Sequence, residues 1–133
     1  MDPTAVEGRP VHDPPEHDQF LQKAKAIARE FHVTAEGGGS PEVELALLPN
    51  PLHVYEDPDR HIEKGVLLAW CHRGNPEALI CVEFYPDRVS VELTKLANAR
   101  VVAEAQALGQ TWDAPEGKGG EKEAYRSFPL PRD

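Results

Sequence analysis

The sequence predicts an α+β fold: a two-layer sandwich in which an antiparallel β-meander of four to five strands packs on two helices, in the order helix, strands, helix. Three observations predict it. Phe20, Ala24, Ile27 and Phe31 recur at steps of four, three and four, the apolar stripe of an amphipathic helix. Apolar runs at Gly65–His72, Glu77–Tyr85 and Arg88–Leu93 are joined by short turn sequences, as hairpin-linked antiparallel strands require. A second helically spaced stripe, Leu96, Ala99, Val102, Ala103 and Ala107, then runs to Gly109.

The elements follow in order. Residues 1–12 carry no apolar period and read as an irregular arm. Asp13-Pro14-Pro15-Glu16 announces the first helix: Asp13 is the cap, Pro14 takes the first turn where a missing N–H costs nothing, and Glu16 completes a capping-box spacing. Leu21 and Ala28 widen its stripe. The helix fades near His32 and is stopped by Gly37-Gly38-Gly39-Ser40-Pro41.

Glu42–Leu48 alternates, with Val43, Leu45 and Leu47 on one face, and reads as a single half-buried strand. Leu52–Tyr55 reads as a short edge strand, and Asp57-Pro58-Asp59-Arg60 as a turn. Gly65–His72 is apolar on both faces and suits a central position. Arg73-Gly74-Asn75-Pro76 and Pro86-Asp87 are the turns of the meander. Thr94 can cap the second helix, and Gly109 stands where a helix ends in a left-handed residue. Glu121–Phe128 offers a last strand. These boundaries give an arm over 1–12, one α+β domain over 13–109, and a tail over 110–133 that adds an edge strand.

Composition narrows the function. At 133 residues the chain is long enough for one domain with its own core. A net charge of −9 argues against nucleic acid and against an anionic membrane surface, because both need Lys and Arg to meet phosphate. It permits a basic protein partner. The longest apolar run, Val66–Cys71, is far too short to span a bilayer. Cys71 and Cys81 lie inside apolar strands and read as small hydrophobes, which together with an N-terminus lacking a signal-peptide pattern points to the cytoplasm.

The candidate chemistry is sparse. His12, Asp13, Glu16, His17 and Asp18 have metal-ligand types at helical spacing, but Asp13 is wanted as a cap; the plainer reading is a negatively biased helix start, and no metal or other cofactor is expected. Gly37-Gly38-Gly39-Ser40 and Glu116-Gly117-Lys118-Gly119-Gly120 lack the strand before and helix after that a phosphate loop needs. Cys71 and His72 are neighbours on a strand, so they point to opposite faces and cannot form a nucleophile pair. Glu83 and Glu92 fall on adjacent strands as diagonal neighbours, an arrangement open to acid–base work but more often a solvated face.

The resulting expectation is a non-enzymatic protein-binding module of chaperone, immunity, inhibitor or adaptor type. The alternative is a small enzyme or ligand-binding domain with a pocket between sheet and helices, drawing on His53, His61, His72, Glu83 and Glu92. The helix–meander–helix order resembles small two-layer folds such as secretion chaperones and immunity proteins, in architecture only. If the first meander turn spans four residues, Trp70 pairs with Leu79 and Leu68 with Cys81. The face turned away from the helices then carries Leu68, Trp70, Leu79 and Tyr85, with Glu83 and Glu92 at its rim. A solvent-facing sheet should be mostly polar, so something must cover the apolar half. The tail is one candidate, with Trp112, Tyr125 and Phe128 as plugs. A protein partner, basic in character, or a second copy of the chain is the other.

Overall fold

The computed structural model describes residues 15–37, 39–117 and 124–132. Among them strand dominates, in two antiparallel sheets with one α-helix. The arm over 1–12, the Asp13-Pro14 cap, and residues 118–120 of the second glycine-rich run lie outside the described residues.

Helix α1 spans Pro15–Arg29. Its stripe buries Ala24 and Ala28, and packs Phe20 and Ile27 partly, as the spacing predicts. It stops earlier than expected. Glu30 and Phe31 donate to the carbonyls of Ile27 and Ala28, tightening the last turn, and the chain goes directly into β1, His32–Gly37. That strand was not foreseen. Val33 and Ala35 alternate into the core there, a pattern too short to read against the helix before it.

The expected strand over Glu42–Leu48 is divided between the sheets. Ser40–Glu44 (β2) pairs with β1, and Ala46–Leu47 (β3) crosses to pair with the long strand Ile62–His72 (β5). Leu45 sits at the crossing, buried, its N–H donating 2.8 Å to the Val33 carbonyl. The alternation of Val43, Leu45 and Leu47 was therefore real, but one backbone serves two sheets. His53–Asp57 (β4) pairs only with β5, as a short edge strand.

The meander holds in its second hairpin. Asn75–Phe84 (β6) and Arg88–Lys95 (β7) pair with Phe84 opposite Val89, Val82 opposite Val91 and Ile80 opposite Leu93, all six buried. The first hairpin differs. Arg73 (φ 54°) and Gly74 (φ 84°) alone form a two-residue turn of mirror-image type, and His72 pairs with Asn75. An irregularity at Trp70/Cys71 then shifts the register, so that Trp70 faces Ala78 and Leu68 faces Ile80. Leu68 (0% exposed) and Trp70 (2%) therefore belong to the core, not to the outer face. Trp70 meets Phe31 edge to face at 6.0 Å between centroids.

The second helix is the largest correction. Residues 96–99 form a loop, and Arg100–Ala105 is a strand (β8) paired on both sides, with β1 and with Gln110–Ala114 (β9). The apolar residues of this stretch satisfy period two as well as 3.6. Val101, Ala103 and Ala105 are each 0% exposed, whereas Leu96, a stripe member in the helical reading, is 51% exposed. The β-branched pair Val101-Val102 favours the strand. Lys95 holds the loop, its ammonium donating to the carbonyls of Ala99, Pro115 and Gly117. Gly109 is left-handed, as expected, but it closes a 3-10 turn over Gln106–Leu108. The architectural likeness to helix–meander–helix proteins goes with the missing helix.

The stretch read as a tail enters both sheets. β9 adds an edge to the small sheet, β9-β8-β1-β2, and buries Trp112. Tyr125–Pro131 (β10) adds the edge next to β7 in the large sheet, β10-β7-β6-β5-β3, with Phe128 opposite Val91. One hydrophobic cluster joins α1, the small sheet and one face of the large sheet. The fold is thus two sheets and a helix around a shared core, with the other face of the large sheet turned outward.

Candidate functional site

The outer face follows from the strand register alone, because side chains alternate across a strand. Reading across β10, β7, β6 and β5 gives one row of Tyr125, Thr94, Leu79 and Ala69. The next is Ser127, Glu92, Cys81 and Leu67, ending on β4 at His53. The third is Pro129, Ser90, Glu83 and Gly65, ending at Tyr55. Beyond it stand Arg88 and Tyr85. Of the six residues assigned to this face from sequence, Leu79, Glu83, Tyr85 and Glu92 are on it. Leu68 and Trp70 are replaced by their neighbours Leu67 and Ala69, since a one-residue slip reverses every side chain of a strand.

The face keeps an apolar end and a polar end. Leu67, Leu79 and Cys81 are half-buried and Tyr125 is 50% exposed. The expected plugs do not cover it: Trp112 and Phe128 are inside the core, and Tyr125 lies at its margin. Neither α1 nor the small sheet lies on this side.

The polar end is organised by Glu83. Tyr55 lies across Gly65, where a Cβ would fall inside the Tyr55 ring, so only glycine permits this close approach. From there Tyr55 Oη donates to Glu83 Oε2, and Tyr85 Oη donates 3.0 Å to Glu83 Oε1. The Tyr55 hydroxyl also lies 3.4 Å from Cys81 Sγ, a second hydrogen-bond partner. Arg60 approaches Glu83 at 4.0 Å, and the Arg88 guanidinium lies 4.0 Å above the Tyr85 ring. His53 stacks on Tyr55 at 5.5 Å. Tyr55, Gly65 and Arg60 were missed in the sequence, since their role depends on β4 pairing that no local motif announces.

These contacts quiet the chemistry of the groups. Burial, then the hydrogen bonds to Cys81 and Glu83, push the Tyr55 phenol well up; burial and Glu83 do the same to Tyr85. Burial raises the Cys81 thiol, with Glu83 and Glu92 adding to the rise and the Tyr55 hydrogen bond opposing it. Burial also raises Cys71, with Glu77 adding. Thiols held protonated are poor nucleophiles. Glu83 and Glu92 are diagonal neighbours as expected, with Glu83 occupied by two phenols and Glu92 exposed.

The alternative histidine set does not converge. Cys81 and Leu67 stand between Glu92 and His53, which puts three strand spacings, about 14 Å, between their strands. His61 lies in the turn before β5 and His72 at that strand's far end. Among the described residues no three His, Cys, Asp or Glu side chains are grouped as a metal ion would need, and no helix is long and apolar enough to cross a membrane. The side chains of His12, Asp13, Glu16, His17 and Asp18 lie outside the described residues. Comparison with known protein families, with curated proteins and with solved structures returns no match for the chain.

Proposed function

We propose that the protein is a non-enzymatic protein-binding module that receives a basic protein surface on the outer face of its large sheet. The observation that carries the reading is the composition of that face. Leu67, Leu79, Tyr55, Tyr85 and Tyr125 are all partly or largely exposed on it, without helix or small sheet on that side. An antiparallel sheet open to water should alternate to polar residues outward. Contiguous apolar surface with tyrosine and arginine among it is the composition of an interface.

Charge supports the basic partner. The chain carries −9, and Glu92 stands exposed on the face itself. The edges argue for the face over edge pairing. Pro129 and Pro131 interrupt the donors of β10, which blunts strand addition there.

The test is Leu79→Lys, which places a cation at the centre of the face without entering the core. Wild-type and variant protein, both shown folded by circular dichroism, are compared as baits. The reading expects one basic protein retained by wild type, lost with Leu79→Lys and released as salt rises. Identical capture by the two baits would overturn it. Sedimentation of the protein alone separates this from a second copy, which would give a dimer that Leu79→Lys dissociates.

A further inference from the structure

We propose that the cleft between α1, the β7–β10 edge of the large sheet and the Gln106–Leu108 turn binds an amphipathic monocarboxylate, a single-chain acid whose tail enters the cleft and whose carboxylate stays at the mouth beside Lys23. The site is on the core side of the large sheet, opposite the face assigned to a protein partner, and does not depend on that assignment.

The cleft has a volume of about 310 Å³, at the small end of small-molecule sites. Its wall is apolar: Ile27 from the helix, Phe84 and Val89 from the hairpin, Leu130 from β10 and Leu108 from the turn. Phe84 and Val89 are buried cross-strand partners, so that wall is preformed. It is a seam of the fold, where the helix, the large-sheet edge and the small-sheet turn meet around space none of them fills.

Two cations stand at the mouth, Lys23 and Arg132. Arg132 is already matched. Its Nη1 is 2.9 Å from the Glu63 carboxylate and donates to the Tyr85 carbonyl, and its guanidinium lies over Phe20 and Phe84. Lys23 is exposed and, among the described residues, has no ion pair. Among the described residues the mouth therefore holds one positive charge with no carboxylate paired to it, beside an apolar cavity, in a chain of net −9. An apolar tail with one negative charge matches both features. A dianion would meet Glu63, and a cation would meet Lys23.

The test is calorimetric titration of the full chain with hexanoate, octanoate and decanoate, kept below micelle formation. Saturable one-to-one binding is expected, strengthening about fourfold for each methylene the cleft buries. Decylamine should bind far more weakly than decanoate. Lys23→Glu, at an exposed position, should weaken decanoate about five- to ten-fold. Ala26→Trp, which grows a side chain from the helix into the cleft, should abolish binding. Leu79→Lys should leave it unchanged, so loss of partner binding and loss of acid binding are told apart. No saturation by decanoate, affinity independent of chain length, equal binding of decylamine, or unchanged binding by Ala26→Trp would each overturn the proposal.

Discussion

Leu67 and Leu68 are adjacent residues whose truncation should have unequal costs, and the difference measures the register on which the candidate face depends. Leu68 is 0% exposed, sits opposite Ile80 and belongs to the shared core. Leu68→Ala removes its buried methyl groups and leaves a cavity that close-packed neighbours only partly fill, a loss of about 3 kcal/mol. Leu67 is half-buried on the outer side, where water replaces what is lost, and Leu67→Ala should cost about 1 kcal/mol or less. For a domain of this size the melting temperature should fall by about 10 °C in the first case and about 3 °C in the second. Thermal and urea denaturation followed by circular dichroism read both. The glutamate pair sharpens the contrast: Leu68→Glu buries an unpaired carboxylate, costing several kcal/mol against a total stability of about 5–15 kcal/mol, whereas Leu67→Glu remains folded. Equal losses for the two positions, or a larger loss at Leu67, would refute the register shift at Trp70/Cys71 and the composition of the outer face together.

Three further outcomes follow from the polar end of that face. Gly65→Ala should destabilise by about 1–3 kcal/mol because the new methyl collides with the Tyr55 ring, and Tyr55→Ala in the same chain should recover part of the loss; an additive double mutant would contradict the contact. The Tyr55 and Tyr85 phenols are raised by burial first and by Glu83 after it, so the folded state holds these protons more tightly than the unfolded state. Their contribution is complete below about pH 10 and is lost as pH rises beyond it, so denaturation midpoints should fall through that range and fall less in Tyr55→Phe; a midpoint that rises there would contradict the assignment. Cys71 and Cys81 are both raised, chiefly by burial, and iodoacetamide should alkylate them more slowly than free cysteine near neutral pH, with a rate equal to free cysteine contradicting it.

What was legible in the sequence was the local pattern where only one period fitted. The stripe of α1 through Phe20, Ala24 and Ile27 and the alternation of Ile80, Val82 and Phe84 against Val89, Val91 and Leu93 stand as read, although Phe31 falls beyond the helix end at Arg29. The misreadings arose where a pattern fitted two structures. The helical reading took Leu96, Ala99, Val102, Ala103 and Ala107 as its stripe, but Val101, Ala103 and Ala105 in the same stretch alternate as a strand does, and pairing on both sides with β1 and β9 decided for the strand. Arg73-Gly74-Asn75-Pro76 admits a two- or a four-residue turn. Arg73 takes a positive φ despite its side chain, and Pro76 sits at the pairing irregularity, where its missing donor is tolerated. The shorter turn alone would set Leu68 opposite Leu79, still on the outer side; the one-residue irregularity at Trp70/Cys71 is what turns Leu68 and Trp70 to the core and Leu67 and Ala69 to the other side. Tyr55 over Gly65 was illegible for a different reason: β4 and β5 meet across a turn whose register no pattern in either segment specifies.

The most direct test of the binding face is hydroxyl-radical footprinting of the protein with its captured partner against the protein alone. The account predicts protection of Leu67, Leu79, Tyr55 and Tyr85, which share the outer face of the large sheet, with no change at Val102 and Thr111 on the outer side of the small sheet. Protection confined to the small sheet, or to Ile27, Leu108 and Leu130 at the cleft, would contradict it.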